Sequence, residues 1–336
     1  MKAIQFIKDS SAEGSALVVD IPRPSPSGYD ILVKIEAIGL NPVDYKVRPG
    51  EGEAPKTLGY DAAGTVSALG ENVSLFKVGD HVYYAGDVTR PGCNAEFQLV
   101  DSRIVALRPT SLDVSESAAL PLTALTAWES LFHRLRINPN TPDMNAGRTL
   151  LIIGGAGGVG SIAIQLAKLA GLTVIATSSR EESAAWCRQL GADHIIDHHG
   201  DMPAQLRAAG FENVRHIANF NDLDQSWAAM GEMIAPQGSI VLITGHERPL
   251  DMGGPFKLKC VTICWEFMFT RSMFQTDDII EQHHILKRVA QLVDEGKITA
   301  TANDSLSPIN PENILEGHRR MESKKAIGKL TISDWE

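Results

Sequence analysis

The stretch from Thr149 to Arg180, TLLIIGGAGGVGSIAIQLAKLAGLTVIATSSR, restricts the fold more than any other part of the chain. An apolar run, Leu150 to Ile153, enters a glycine cluster. From Ser161 the apolar residues fall at helical spacing (Ile162, Leu166, Leu169), and after Gly171 comes a second apolar run, Thr173 to Ala176. Strand, turn, helix and strand in that order make a βαβ unit. Gly155, Gly157 and Gly160 satisfy GxGxxG at the strand-to-helix junction, with Ala156, Gly158 and Val159 between them. Glycine is needed there because the turn is tight, the backbone must approach a pyrophosphate, and the helix must pack on the strand. Free N–H groups at the helix start then hold the anion. These residues predict a dinucleotide site; a glycine-rich turn that only packs tightly is the competing reading.

The end of the second strand bears on which dinucleotide. An NAD site usually places Asp or Glu there to bond the ribose 2′-hydroxyl. This chain has Thr177, Ser178, Ser179 and Arg180 instead. Hydroxyls and a guanidinium suit a 2′-phosphate, so NADPH is the expected cofactor. Ser179 with Glu182 three residues later also reads as a capping box for the next helix. Both readings are compatible, because a helix start is itself an anion site. Thr244, at the end of a later strand, is a further expected nucleotide contact.

A chain of 336 residues exceeds what one hydrophobic core usually serves, so two domains are expected. A net charge of -10 without a basic arm argues against a nucleic-acid partner or an anionic membrane surface. The N-terminus, MKAIQFIKDSS, reads as a strand and lacks a signal-peptide core, and no apolar run is long enough to span a bilayer. Cys93, Cys187, Cys260 and Cys264 form no CxxC, and Cys260 and Cys264 would share a strand face too far apart to bond. A reduced, cytoplasmic setting follows.

From Met1 to about Leu120 short strands alternate with Gly and Pro, which predicts a small all-β barrel. Ser115 to Arg136 looks helical, with Ser115 as a cap and a break at Pro121. Strands and helices then alternate to Trp265: helix Glu181 to Leu190, strand His194 to Ile196, helix Met202 to Ala208, strand Val214 to Phe220, helix Leu223 to Ile234, strand Ser239 to Thr244, and a sixth strand Cys260 to Trp265. That alternation predicts a doubly wound parallel sheet. The tail adds an amphipathic helix, Asp277 to Asp294, and a closing strand, Leu330 to Ile332, expected to join the N-terminal barrel. The adjacent pairs His198 with His199 and His283 with His284 point apart in any regular structure and read as solvated surface.

Further motifs are GLNPVDYKVRPG (Gly39 to Gly50), LGYDAAGTV (Leu58 to Val66), VGDHVYYAG (Val78 to Gly86), PLTALTAWESL (Pro121 to Leu131) and LGADHIID (Leu190 to Asp197). Together with the glycine loop they resemble the medium-chain dehydrogenase/reductase superfamily, in its zinc-free quinone oxidoreductase branch. The tail WEFMFTRSMFQT (Trp265 to Thr276) looks like a subgroup often labelled zinc-type alcohol dehydrogenase-like. The resemblance implies an α/β chain in which a Rossmann domain, 122–265, is inserted into a β-rich GroES-like barrel domain, 1–121 and 266–336. In the family the edge strand of the nucleotide domain commonly pairs across a homodimer.

Zinc-dependent members ligate the metal with a Cys, a His and a third Cys or acidic residue. The corresponding places here hold Asn41, the pair Tyr60 and Asp61, and Leu122, so no zinc is expected. By resemblance, Asn41 and Asp44 lie near the nicotinamide ribose and Thr126 faces the carboxamide from a helix start. Tyr45 and Tyr60 are the candidate proton donors or ring-stacking walls, although the family often carries its tyrosine one position later, where this chain has Lys46. Asn41 before Pro42 is also a common turn, Asp44 a group that bonds nearby backbone, and Arg48 either a phosphate ligand or surface. The run Trp265, Phe267, Met268, Phe269, Met273 and Phe274 is either an apolar lid for hydrophobic acceptors or packing at an interface. The expected activity is NADPH-dependent, zinc-free reduction of quinones or α,β-unsaturated carbonyls. A zinc-dependent alcohol dehydrogenase and a non-catalytic NADPH-binding protein are the alternatives.

Overall fold

The computed structural model describes residues 1–8 and 15–335; Asp9 to Ser11 of the expected N-terminal strand lie outside them. The chain divides into two compact units, Met1–Leu125 with the segment from Met268, and Thr126–Phe267. The expected boundaries stood at 121/122 and 265/266.

The first unit opens with β1 (Lys2–Ile7), β2 (Ser15–Asp20), β3 (Asp30–Gly39), β4 (Lys56–Thr57), β5 (Asp61–Leu69), β6 (His81–Tyr84), β7 (Phe97–Asp101) and β8 (Val105–Leu107). The second unit supplies β9 (Thr149–Ile153), β10 (Thr173–Thr177), β11 (His194–Ile196), β12 (Val214–Asn219), β13 (Ile234–Leu242) and β14 (Thr262–Trp265). The chain then returns to the first unit with β15 (Ala302–Leu306) and β16 (Lys329–Ser333).

In the first unit β3 is the organising strand. Its ten residues are long enough to take β7 along Asp30 to Lys34 and β16 along Ala37 to Gly39, while β5 runs antiparallel along its other edge. β1 is flanked by β2 and β4 in a separate three-stranded sheet. Ile4, Phe6, Ile31, Val33, Ile35, Ile38, Tyr84 and Ile332 fill the core between these layers. The closing strand does join the N-terminal strands, but it starts one residue earlier than its apolar run, at Lys329.

The second unit has six parallel strands in the order β11-β10-β9-β12-β13-β14, the doubly wound arrangement with its first strand central. β9 and β10, buried on both faces, read as continuous apolar runs because helices cover both sides of such a sheet. β14 closes the order as an edge strand, with its residues only partly buried.

Several local expectations are corrected. The cap before Pro121 is Asp113, not Ser115: Glu116 N–H donates to Asp113 Oδ1 at 2.7 Å and Asp113 N–H to Glu116 Oε2 at 3.1 Å. A helix, Pro121–Trp128, follows the break, and then a π-helical turn, Glu129–Arg134. Arg134 Nε donates to the buried Glu266 at 2.7 Å, tying that turn to the residue after β14. The Ser179 capping box is absent; Arg180 is the N-cap of the helix Glu181–Gln189 and no side chain caps it. Cys260 stands before β14 with φ +51, so it shares no strand face with Cys264. His283 is half-buried, bonding the Val105 carbonyl at 2.6 Å and packing edge-on against Phe76, rather than standing as solvated surface.

Candidate functional site

In the second unit the glycine loop leaves β9 and enters the twelve-residue helix Gly158–Leu169. Gly154 has φ +88, a backbone region that side chains disfavour, and its N–H donates to Thr177 Oγ1 at 3.0 Å. Gly155 N–H donates to the Thr177 carbonyl at 3.3 Å, so the loop is stitched to the end of β10. A Cβ on Gly155 would meet Ala176 Cβ at 2.7 Å and Cys187 Sγ at 3.2 Å, and one on Gly160 would run into the carbonyls of Gly154 and Gly155. Those two glycines are required by packing alone. Gly157 differs: its nearest neighbour would be the Gly154 carbonyl at 3.6 Å, and its φ is an ordinary -73°. Its side is open, and no side chain caps the helix it precedes. An open cradle before an uncapped helix start fits a pyrophosphate, whose oxygens satisfy the first-turn N–H groups.

At the end of β10, Ser178 is buried and shares a 2.6 Å hydrogen bond with Ser183 Oγ, while Ser179 and Arg180 are exposed. No carboxylate stands among Thr177 to Arg180. Thr244 donates to the Asn221 carbonyl at 2.7 Å. Thr126 is buried in the second turn of Pro121–Trp128 rather than at its start.

In the first unit, topology gathers three polar side chains. β16, β3 and β5 are neighbours, and Gly39 pairs with Asp61 on one side and Thr331 on the other. Asn41 follows β3, Asp61 opens β5, and Lys329 opens β16. Lys329 Nζ donates to the Leu40 carbonyl (2.7 Å), Asn41 Oδ1 (2.7 Å) and Asp61 Oδ2 (2.9 Å). Asn41 Nδ2 donates to Asp61 Oδ2 at 2.8 Å and the Gly39 carbonyl at 3.3 Å. Leu122 N–H donates to Asp61 Oδ1 at 2.7 Å. The whole Asn41 amide is therefore engaged with protein atoms.

Asn41 is also the N-cap of the short helix Pro42–Lys46, and its backbone N–H donates to Asp44 Oδ2 at 2.7 Å. Asp44 Oδ1 has no partner among the described residues, and the residue is fully buried. Burial pushes the Asp44 carboxyl up to about 7, against the pull of the Asn41 N–H and the Lys329 charge. Burial likewise raises Asp61, opposed first by Lys329. Tyr60 is buried edge-on against Phe269, and burial, with Asp44 next, holds its phenol well above the ordinary value. Tyr45 is half-buried with its ring edge-on to His318, and its phenol is raised by burial. Arg48 bonds His318 Nδ1 at 2.6 Å and reaches Glu322 at 3.4 Å. Burial, then Arg48, drives that imidazole down to about 3.

The aromatic run divides. Met268 and Phe269 are buried in the first unit, whereas Trp265, Phe267 and Phe274 are 50%, 47% and 73% exposed. Lys329 is the residue that sequence reasoning missed. The signal was present in Gly328-Lys329 directly before a buried apolar strand, a place where a lysine needs a partner.

Two family models match, "Alcohol dehydrogenase GroES-like domain" over residues 27–108 and "Zinc-binding dehydrogenase" over residues 158–286. A zinc-type alcohol dehydrogenase-like protein of Staphylococcus aureus is 41% identical, covering 99% of this chain and 100% of its own. A 2-methylene-furan-3-one reductase of Solanum lycopersicum is 29% identical, over 99% of this chain and 79% of the relative. Among solved structures, that of a putative zinc-dependent alcohol dehydrogenase from Rhizobium etli has a TM-score of 0.94 at 46% identity, covering 100% of this chain and 98% of the other.

Proposed function

The chain belongs to the medium-chain dehydrogenase/reductase superfamily and is an oxidoreductase, and from that premise we propose that it is an NADPH-dependent, zinc-free reductase of quinones or α,β-unsaturated carbonyls. The observation that carries this reading is the end of β10: two serines and Arg180, with no carboxylate, stitched through Thr177 to the open glycine loop. The nucleotide, when bound, supplies a hydride to the acceptor carbon.

The chain's own part is binding and proton management. The Gly154 to Gly160 loop seats the pyrophosphate, and Arg180 with Ser179 holds the 2′-phosphate. Tyr60 keeps its proton and donates a hydrogen bond to the acceptor oxygen. Asp44, which titrates near neutrality, is the matched proton source. The Solanum lycopersicum relative, named 2-methylene-furan-3-one reductase, supports the acceptor class.

Zinc does not fit the residues present. At the places where zinc-dependent members carry ligands, Asn41 is bonded to the Lys329 ammonium, the pair Tyr60 and Asp61 offers a phenol and a carboxylate bonded to that same ammonium, and Leu122 is apolar. Purified protein tested with NADPH and a panel of quinones and enones should oxidise NADPH without added metal. Stoichiometric zinc with alcohol oxidation would point to the zinc-dependent alternative, and tight NADPH binding with no acceptor reduced would point to a non-catalytic binder.

A further inference from the structure

The Lys329 ammonium uses all three of its N–H groups on buried protein oxygens, and its side chain is 4% exposed. Two carboxyls stand on either side of Asn41: Asp44 accepts its backbone N–H, Asp61 its side-chain N–H. They are not equivalent. Asp61 accepts from Lys329, Asn41 and Leu122, three donors that an ionised carboxylate satisfies and a protonated one does not. Asp44 accepts one bond and has a buried oxygen with no partner. The other groups bearing on Asp44 are Arg48, turned to His318 and Glu322, and the neutral Tyr60 and Cys93.

We propose that Lys329 is a positioning residue: its ammonium fixes the Asn41 amide and holds Asp61 as the anion of an acid pair, so that the single proton of the pair resides on Asp44. The role in turnover rests on the reductase reading above; the assignment of the proton does not. Lys329 acts at both ends of this arrangement. Through Asn41, the N-cap, it sets the start of the helix that carries Asp44 and Tyr45. Through Asp61 it decides which carboxyl is charged, because one ammonium placed on one of two neighbouring acids separates their protonation states. A packing role alone would fix the geometry and leave the proton indifferent to which charge is removed.

The experiment compares Lys329→Met, Asp61→Asn and the double variant. The Asp44 titration is followed by NMR of the side-chain carboxyl carbons in Asp-labelled protein, its resonance assigned by its loss in Asp44→Asn. Lys329→Met should move the Asp44 midpoint to higher pH by about half a unit or more, roughly threefold in the acid constant. Asp61→Asn should move it to lower pH, and the double variant should return towards the parent. The pH profile of kcat for NADPH oxidation should shift in the same order. Unmoved midpoints, or two single variants shifting in the same direction, overturn the proposal. Should Lys329→Met fail to fold, Asp61→Asn and the double variant decide, since an unchanged or raised midpoint in Asp61→Asn has the same force. A parent protein that oxidises no NADPH sinks the reductase reading, while the carboxyl titration still decides the place of the proton.

Discussion

Alanine at Gly157 and at Gly155 separates what the glycine loop does for the fold from what it does for a nucleotide. At Gly155 the new methyl would lie 2.7 Å from Ala176 Cβ, which is fixed to the backbone of β10, and 3.2 Å from Cys187 Sγ. Neither can move without shifting a strand or a helix, and overpacking of this kind costs about 1–3 kcal/mol. At roughly 2–4 °C for each kcal/mol in a domain of this size, Gly155→Ala should lower Tm measurably without ligand. At Gly157 the methyl finds the Gly154 carbonyl at an ordinary 3.6 Å, and φ is acceptable to alanine. Its loss as an N-cap and its gain from a stiffer unfolded chain, each about 0.5–1 kcal/mol, roughly cancel. The methyl does occupy the cradle, so NADPH affinity should fall about tenfold or more, or at least ~1.4 kcal/mol. Thermal unfolding with and without NADPH reads both effects. At a nucleotide concentration near 100 times the parent Kd, the parent gains about 2.7 kcal/mol and Gly157→Ala no more than about 1.4. A Gly157→Ala protein that is as unstable as Gly155→Ala, or that gains as much from NADPH as the parent, would refute this division of labour.

Arg180→Ala should weaken NADPH by about tenfold or more, the usual worth of a charge-assisted bond to phosphate, and leave NADH almost unchanged; equal losses for both nucleotides would remove Arg180 from the 2′-phosphate site. Asp44 binds its proton more tightly folded than unfolded, so stability from this group is fully present below its unfolded value near 4 and is lost as pH rises towards 7. Asp44→Asn, which cannot ionise, should therefore cost less stability, or even add some, at pH 8 compared with pH 5, by a few kcal/mol in denaturant titrations; the same difference at both pH values would contradict a raised carboxyl. β14 is an edge strand that ends in exposed Trp265 and follows exposed Leu258, so the protein should sediment as a homodimer and Ile263→Pro should give monomers; a monomeric parent would refute pairing through that edge.

The nucleotide half of the molecule was legible because its signals are local. The apolar runs of β9 and β10, the helical spacing from Ile162, and the glycines between them lie within one short segment, and periodicity alone places them. Boundaries slipped where two competent caps stood close together, as Asp113 with Ser115, and where a capping pattern went unused, as Ser179 before the helix that Arg180 opens without a side-chain cap. The π-helical turn at Glu129 left no periodic mark, because it is held by Arg134 reaching Glu266, 132 residues away. The polar cluster was half legible. Asn41, Asp44 and Tyr60 carried family motifs, but Lys329 meets Asp61 across 268 residues. Only the pairing of β16 with β3 brings them together, and no pattern within a window reveals that. The Asn41 amide, expected near a nucleotide, is occupied by protein partners that only the assembled sheet supplies.

The first unit is written in two pieces on either side of the second, and this sets an order of assembly. Thr126–Phe267 is continuous, and every strand of its parallel sheet has been made once residue 265 leaves the ribosome. The first unit, although it contains the N-terminus, has to wait for β16, because β3 is left without the partner for Ala37 to Gly39 and Asp61 without its cation. The first unit, N-terminal though it is, therefore cannot be completed before the second has been made, the reverse of the usual N-terminal-first order. A chain that stopped short of β16 would carry every strand of the parallel sheet and lack the lysine that Asp61 bonds in the completed first unit.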